Sequence, residues 1–123
     1  VNWPPQKGEL LPNADDAWCT HTKLMDWILS ENGHGPEWER IFHVTVEDID
    51  LVWNSIYQGA LATPITAVRR KHTGMSCEVF LELRMNQRVA FVVTAWHYAD
   101  AGAAPRLVTA YPKPYNRGNG SYA

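Results

Sequence analysis

The sequence predicts an α+β domain, with N-terminal helices packed on a four- to five-stranded antiparallel sheet. Three observations predict it. Apolar residues recur at helical spacing up to about residue 60. From 75 to 84 the period becomes two, with Cys77, Val79, Leu81 and Leu83 alternating with Glu78, Phe80, Glu82 and Arg84. Residues 88–98 and 106–112 then read as two neighbouring strands joined by a small, Gly/Pro-bearing connector at 99–105. Helices first and strands afterwards is the order of an α+β domain around one core.

Taken in order, residues 1–13 contain Trp3, Pro4, Pro5 and Pro12 with no periodicity, and read as an extended arm that packs through Trp3 and Leu10 or Leu11. Asp15 or Asp16 is placed to cap a helix running to about Glu31, with Trp18, Met25, Ile28 and Leu29 along one side. Asn32, Gly33, His34, Gly35 and Pro36 break it, and a short helical turn follows over 37–42. Thr45 and Asp48 form a capping-box-like start for a helix carrying Ile49, Val52, Trp53 and Ile56, with Gly59 as its natural stop. Strands are then expected at 65–71, 75–84, 88–98 and 106–112, a four-stranded meander, and the segment 113–123 reads as a flexible tail.

A chain of 123 residues, 46% hydrophobic and 20% charged, has the composition of a single globular domain. No apolar run approaches the ~20 residues of a membrane span, and no signal-peptide pattern opens the chain, so no membrane insertion by this domain is expected. Cys19 and Cys77 have neither CxxC nor metal spacing, and two reduced, half-buried thiols are expected over a single bridge. The net charge of −2 conceals an asymmetry. Residues 1–64 carry three bases against ten acids, whereas residues 65–123 carry eight bases against three acids. The two halves could pair across the fold. Alternatively, the basic sheet could attract a phosphate-bearing ligand.

The sequence holds no Gly-rich phosphate loop, HExxH, GxSxG or zinc-spaced Cys/His cluster, so neither metal nor cofactor is expected. The remaining His, Arg, Thr and Tyr residues suit one chemistry, the metal-independent cleavage of RNA by its own 2′-hydroxyl. That step needs groups that move protons near neutrality and donors for the charge growing on phosphorus. Thr109 and Tyr111 sit two apart on a strand and share a face. His34 stands between two glycines in a loop, where a phosphate could approach; as plain structure it is a solvated turn residue. Strand parity allows only one of Thr94 and His97 to join Thr109 and Tyr111 unless a bulge intervenes. Consecutive Arg69 and Arg70 face opposite ways, so one can look at a ligand while the other faces solvent. Arg106 could hold a phosphate or a carboxylate. Trp96, Tyr98 and Tyr111 could stack bases. Trp18, Trp27, Trp38 and Trp53 read as helix core.

Residues 38–42, Glu47–Asp48 opening a helix, 64–70, and above all 93–98 and 105–112 resemble C-terminal toxin modules of bacterial contact-dependent inhibition and polymorphic toxin systems. The resemblance spans about residues 20–112 and points to ribonucleases of the barnase–EndoU–colicin–RelE fold. Their Thr/Ser-x-Tyr on a late strand matches Thr109 and Tyr111, and His34 and Arg69 are the candidates for the histidine and the cation. The resemblance implies an endoribonuclease with tRNA as the expected target, held in check by an immunity protein. It further implies a monomeric effector domain delivered from another cell into the target bacterial cytoplasm. The alternative is a non-catalytic α+β binding module, such as an immunity or adaptor protein that offers its acidic helices to a basic partner.

Overall fold

The computed structural model describes residues 3–113, 115–116 and 121–122. The N-terminal arm is tied to the segment that precedes the sheet: the Gly8 amide donates to the Ile65 carbonyl at 2.9 Å, and the Ile65 amide donates to Glu9 at 2.8 Å. Leu11 is buried, Leu10 is exposed, and Trp3 meets Tyr98 edge-on with ring centroids 5.7 Å apart.

The first helix starts later than the acidic pair suggests. Ala14–Asp16 forms only a 3-10 turn. The chain then runs extended through Trp18, whose amide donates to Pro105 and whose carbonyl accepts from Leu107, a strand-like pairing that no helix permits. Helix α1, His21–Lys23, is capped by the Thr20 hydroxyl, which accepts from the Lys23 amide at 3.0 Å. It passes directly into a π-helical stretch, Leu24–Ile28. There the Leu29 amide reaches back five residues to Leu24, which rotates the apolar stripe onto Leu24, Ile28 and Leu29 and leaves Trp27 outside.

Helix α2, Gly35–Phe42, follows the expected break. A Cβ at Gly33 would run into the Trp27 carbonyl, and one at Gly35 into the carbonyls of Leu29 and Ser30. These glycines therefore serve close packing of the loop on the preceding helix, not access for a phosphate. Thr45 and Asp48 make the capping box, through a 3-10 turn at Val46–Asp48 that leads into α3, Ile49–Ala62. Gly59 does not stop this helix. It lies where a side chain would press at 3.2 Å on Leu81 and Leu83, and the helix ends instead before Pro64, with Thr63 extended.

Four strands, β1 (Ala67–Lys71), β2 (Gly74–Met85), β3 (Arg88–Tyr98) and β4 (Arg106–Lys113), form one antiparallel meander in sequence order. Asn86 and Gln87 both take positive φ, 51° and 63°, as a two-residue hairpin turn demands. Cys77, Val79 and Leu81 on β2, with Val92, Thr94 and Trp96 on β3, turn to the helices and meet Val52, Ile56 and Ala60 of α3 in the core. Helix α2 closes the β4 side: Trp38 is fully buried, and its indole N–H donates to the Ala110 carbonyl at 3.2 Å. Within the segment read as a flexible tail, Lys113 belongs to β4, and β5 (Tyr115–Asn116) pairs antiparallel with β6 (Ser121–Tyr122). Residues 114, 117–120 and 123 of that segment lie outside the described residues.

The other face of the sheet carries Arg69, Ser76, Val93, Ala95, His97, Thr109 and Tyr111. Its pattern turns on one irregularity. The β3–β4 register pairs Ala95 with Thr109 but Trp96 with Leu107, which leaves Val108 as an extra residue. This bulge sends Leu107 into the core and turns Arg106 to the face that holds Thr109 and Tyr111.

Candidate active site

His34 is positioned by backbone before its ring makes any contact. It is the N-cap residue of α2, and its amide donates to the Trp27 carbonyl at 3.0 Å. Because Trp38 anchors the same helix on β4, the ring of His34 comes to rest over Tyr111. Their centroids are 5.0 Å apart and the planes tilt by only 29°. Nδ1 of His34 lies 3.1 Å from a carboxylate oxygen of Glu37 one turn along α2, and Trp27 meets the ring edge-on at 5.7 Å. The His34 side chain keeps 26% of its surface open, so the ring is held on three sides and accessible on the rest.

Glu37 and Trp27 were not anticipated. Glu37 had a readable signal: a carboxylate three residues after a helix-start histidine lies on the same side of the first turn. Trp27 had none, because the π-helical stretch that turns it outward, to 46% exposure, breaks the period a helical stripe relies on.

Thr109 shares the face of Tyr111, and its hydroxyl is buried with no hydrogen-bond partner. A polar group that gives up water without compensation costs about 1–3 kcal/mol, and such groups recur where a site must keep a donor uncommitted. Among the described residues no other buried side-chain polar atom is left in this state.

Strand parity resolves the Thr94/His97 alternative. His97 stands on the open face opposite Arg106, with Nε2 3.0 Å from the Thr73 hydroxyl. Thr94 is 0% exposed on the core side, where its hydroxyl donates to the Val79 carbonyl and accepts from the Trp96 indole, each at 2.8 Å. Thr94 is therefore a core residue, with both hydrogen-bonding roles filled. Trp96, fully buried, cannot stack a base, and neither can Tyr98, whose phenol donates to Pro12 at 2.6 Å. Arg69 stands exposed on the open face, whereas Arg70 faces the other way beside Trp3, Lys71 and His72 and does not join it.

Two groups result on one face. His34, Glu37, Thr109 and Tyr111 gather at β4. Arg69, Ser76, His97 and Arg106 form a transverse row across all four strands. Between Val93, opposite Tyr111, and His97 run four residues of β3, or about 13 Å. Neither Arg69 nor Arg106 has a carboxylate within 4.0 Å among the described residues, so these cations are not spent on the acidic half. Arg106 and Lys23 both reach Cys19 electrostatically. They pull its pKa down, but burial outweighs them and pushes the thiol up to about 11. Cys77, wholly buried, is likewise pushed up to about 11, and both cysteines are free.

Among the described residues, no group of three His, Cys, Asp or Glu side chains is arranged to hold a metal ion, and no helix is long and apolar enough to cross a membrane. No curated protein and no solved structure matches the chain. The model of one family does match, over residues 10–114, which takes in both helical and sheet layers and every residue of the two groups; the chain belongs to that family, DUF6883, described as a domain of unknown function.

Proposed function

We propose that the protein is a metal-independent endoribonuclease of the toxin type, with tRNA as its expected substrate and an immunity protein as its expected partner. The observation that carries this reading is the stacking of His34 on Tyr111, two residues 77 positions apart, with Glu37 on the far ring nitrogen. Glu37 occupies Nδ1, so Nε2 is the nitrogen left for substrate. It takes the proton of the RNA 2′-hydroxyl as that oxygen bonds to phosphorus. The P–O5′ bond breaks, the departing 5′-oxygen takes a proton from the Tyr111 phenol, and His34 gives up its proton to solvent while Tyr111 regains one from it. The products are a 2′,3′-cyclic phosphate and a 5′-hydroxyl. Thr109, whose unpaired hydroxyl is shielded from solvent, lies two residues from Tyr111 and joins the site only when RNA binding uncovers that hydroxyl.

The test is inducible expression in bacteria of the wild type beside His34→Ala and Tyr111→Phe, with total RNA resolved on denaturing gels. Growth arrest with discrete small-RNA fragments ending in 2′,3′-cyclic phosphate is expected. Each substitution should lower cleavage by about 10²-fold or more. Intact RNA from a folded wild-type protein would refute the nuclease and leave the binding module, with its acidic helices, as the better reading.

A further inference from the structure

The transverse row is a second feature of the open face, and it does not belong to the proton chemistry at Tyr111. Arg69 pairs with Ser76, Ser76 with His97, and His97 with Arg106, so one side chain from each of four strands lies on a single line. Directly opposed residues stand about 5 Å apart, which places two guanidinium-bearing positions on either side of a hydroxyl and an imidazole. The Thr73 hydroxyl adds a further donor beside His97 Nε2. Arg106 reaches this line only because of the bulge at Val108. The neighbouring row, Ala67, Glu78, Ala95 and Thr109, contributes one negative charge, Glu78.

We propose that this row is an anion subsite that holds a flanking phosphate of a single-stranded RNA segment whose scissile phosphate lies at His34 and Tyr111. The proposal rests on the ribonuclease reading and sharpens its substrate class. A spacing of about 13 Å between the two groups exceeds the reach of one phosphate, so the protein takes an extended oligonucleotide strand. In this arrangement His97 positions phosphate and His34 moves the proton. The hydroxyls of Ser76 and Thr73 offer neutral donors, and the two arginines offer charge and a bidentate fork. Glu78 opposes the anion and keeps the strand toward the β4 side of the row.

The test uses a fluorescein-labelled 2′-O-methyl oligonucleotide of about eight nucleotides, which cannot undergo 2′-hydroxyl attack, in anisotropy titrations at several salt concentrations. Arg69→Ala and Arg106→Ala should each weaken binding about fivefold to tenfold and lower the slope of log affinity against log salt by about 0.7. His97→Ala should weaken binding, and Glu78→Gln should tighten it, a gain that damage to the fold cannot mimic. Arg84→Ala is the control: it removes a cation of the same sheet, on β2 opposite Val89 and eight residues along that strand from Ser76, and should leave the slope unchanged. Wild-type slopes in both Arg69→Ala and Arg106→Ala would overturn the subsite, as would an equal loss in Arg84→Ala. Since the probe is never cut, intact RNA in the expression assay would refute the nuclease without touching this result.

Discussion

The imidazole of His34 lies 5.0 Å from the phenol ring of Tyr111, and its Nδ1 lies 3.1 Å from Glu37. One residue caps a helix and the other belongs to the last long strand, so the contact exists only when α2 is docked along β4. Trp38 makes that docking specific. Its indole N–H satisfies a carbonyl of β4 that has no further strand to pair with. On the proposed ribonuclease reading, the same relationship makes Glu37 a positioning residue for His34 rather than a catalytic one.

Glu37→Ala should therefore lower kcat for RNA cleavage about tenfold while KM changes little. Glu37→Gln, which still accepts a hydrogen bond from Nδ1–H, should retain most of the rate. Steady-state kinetics on a single RNA substrate checks this order. A loss carried by KM, or equal losses in both variants, would place Glu37 in binding or in charge.

Trp27 presents an indole at 46% exposure beside His34. If the proposed ribonuclease reading holds, a base next to the scissile phosphate stacks on it, and such stacking is worth about 1–3 kcal/mol. Trp27→Ala should weaken binding of the 2′-O-methyl oligonucleotide by that amount, with Trp27→Phe recovering most of it. Unchanged affinity in Trp27→Ala would remove Trp27 from the substrate path.

Thr94 behaves differently because both of its hydrogen bonds are internal. Thr94→Val leaves the buried Trp96 indole N–H and the Val79 carbonyl without this partner. The expected cost is about 1–3 kcal/mol of stability, read as a lower denaturant midpoint. RNA cleavage per folded molecule should be unaltered. A variant of undiminished stability but lost activity would return Thr94 to the site.

Alkaline pH should destabilise the fold before acid chemistry at the site is tested. The thiols of Cys19 and Cys77 are pushed from 9.0 to about 11 by burial, and the Tyr98 phenol is raised by burial and then by Cys77. In each case the fold favours the neutral form. The stabilisation is thus complete below about pH 9, where the unfolded thiols are also neutral, and is lost as pH rises towards 11. For Cys77, fully buried, the loss at pH 10 is on the order of 1 kcal/mol. Urea midpoints at pH 8 and pH 10 measure it, and equal midpoints would contradict it.

Much of this architecture was legible in the chain itself. Alternation from 75 to 84 marked the central strand of the core, since a period of two places every second residue on one face. Thr45 and Asp48 marked the start of α3 because a capping box is a local exchange of hydrogen bonds. Thr109 and Tyr111 share a face for the same periodic reason. Local geometry also misled. Asp15 and Asp16 looked like a helix cap, and Gly59 like a helix stop. The first was overridden by pairing of Trp18 with β4, the second by close contact with Leu81 and Leu83.

The sequence by itself therefore determined the order of helices and strands, the core stripe of β2 and the capping of α3, because these depend on residues a few positions apart. Only the tertiary structure decided that His34 meets Tyr111 and that Thr94 and Trp96 belong to the core. It alone also decided that a single extra residue, Val108, turns Arg106 onto the line of Arg69 and His97. Those outcomes depend on register and on helix docking. Both are set by long-range packing, and a shift of one residue exchanges the two faces of a strand.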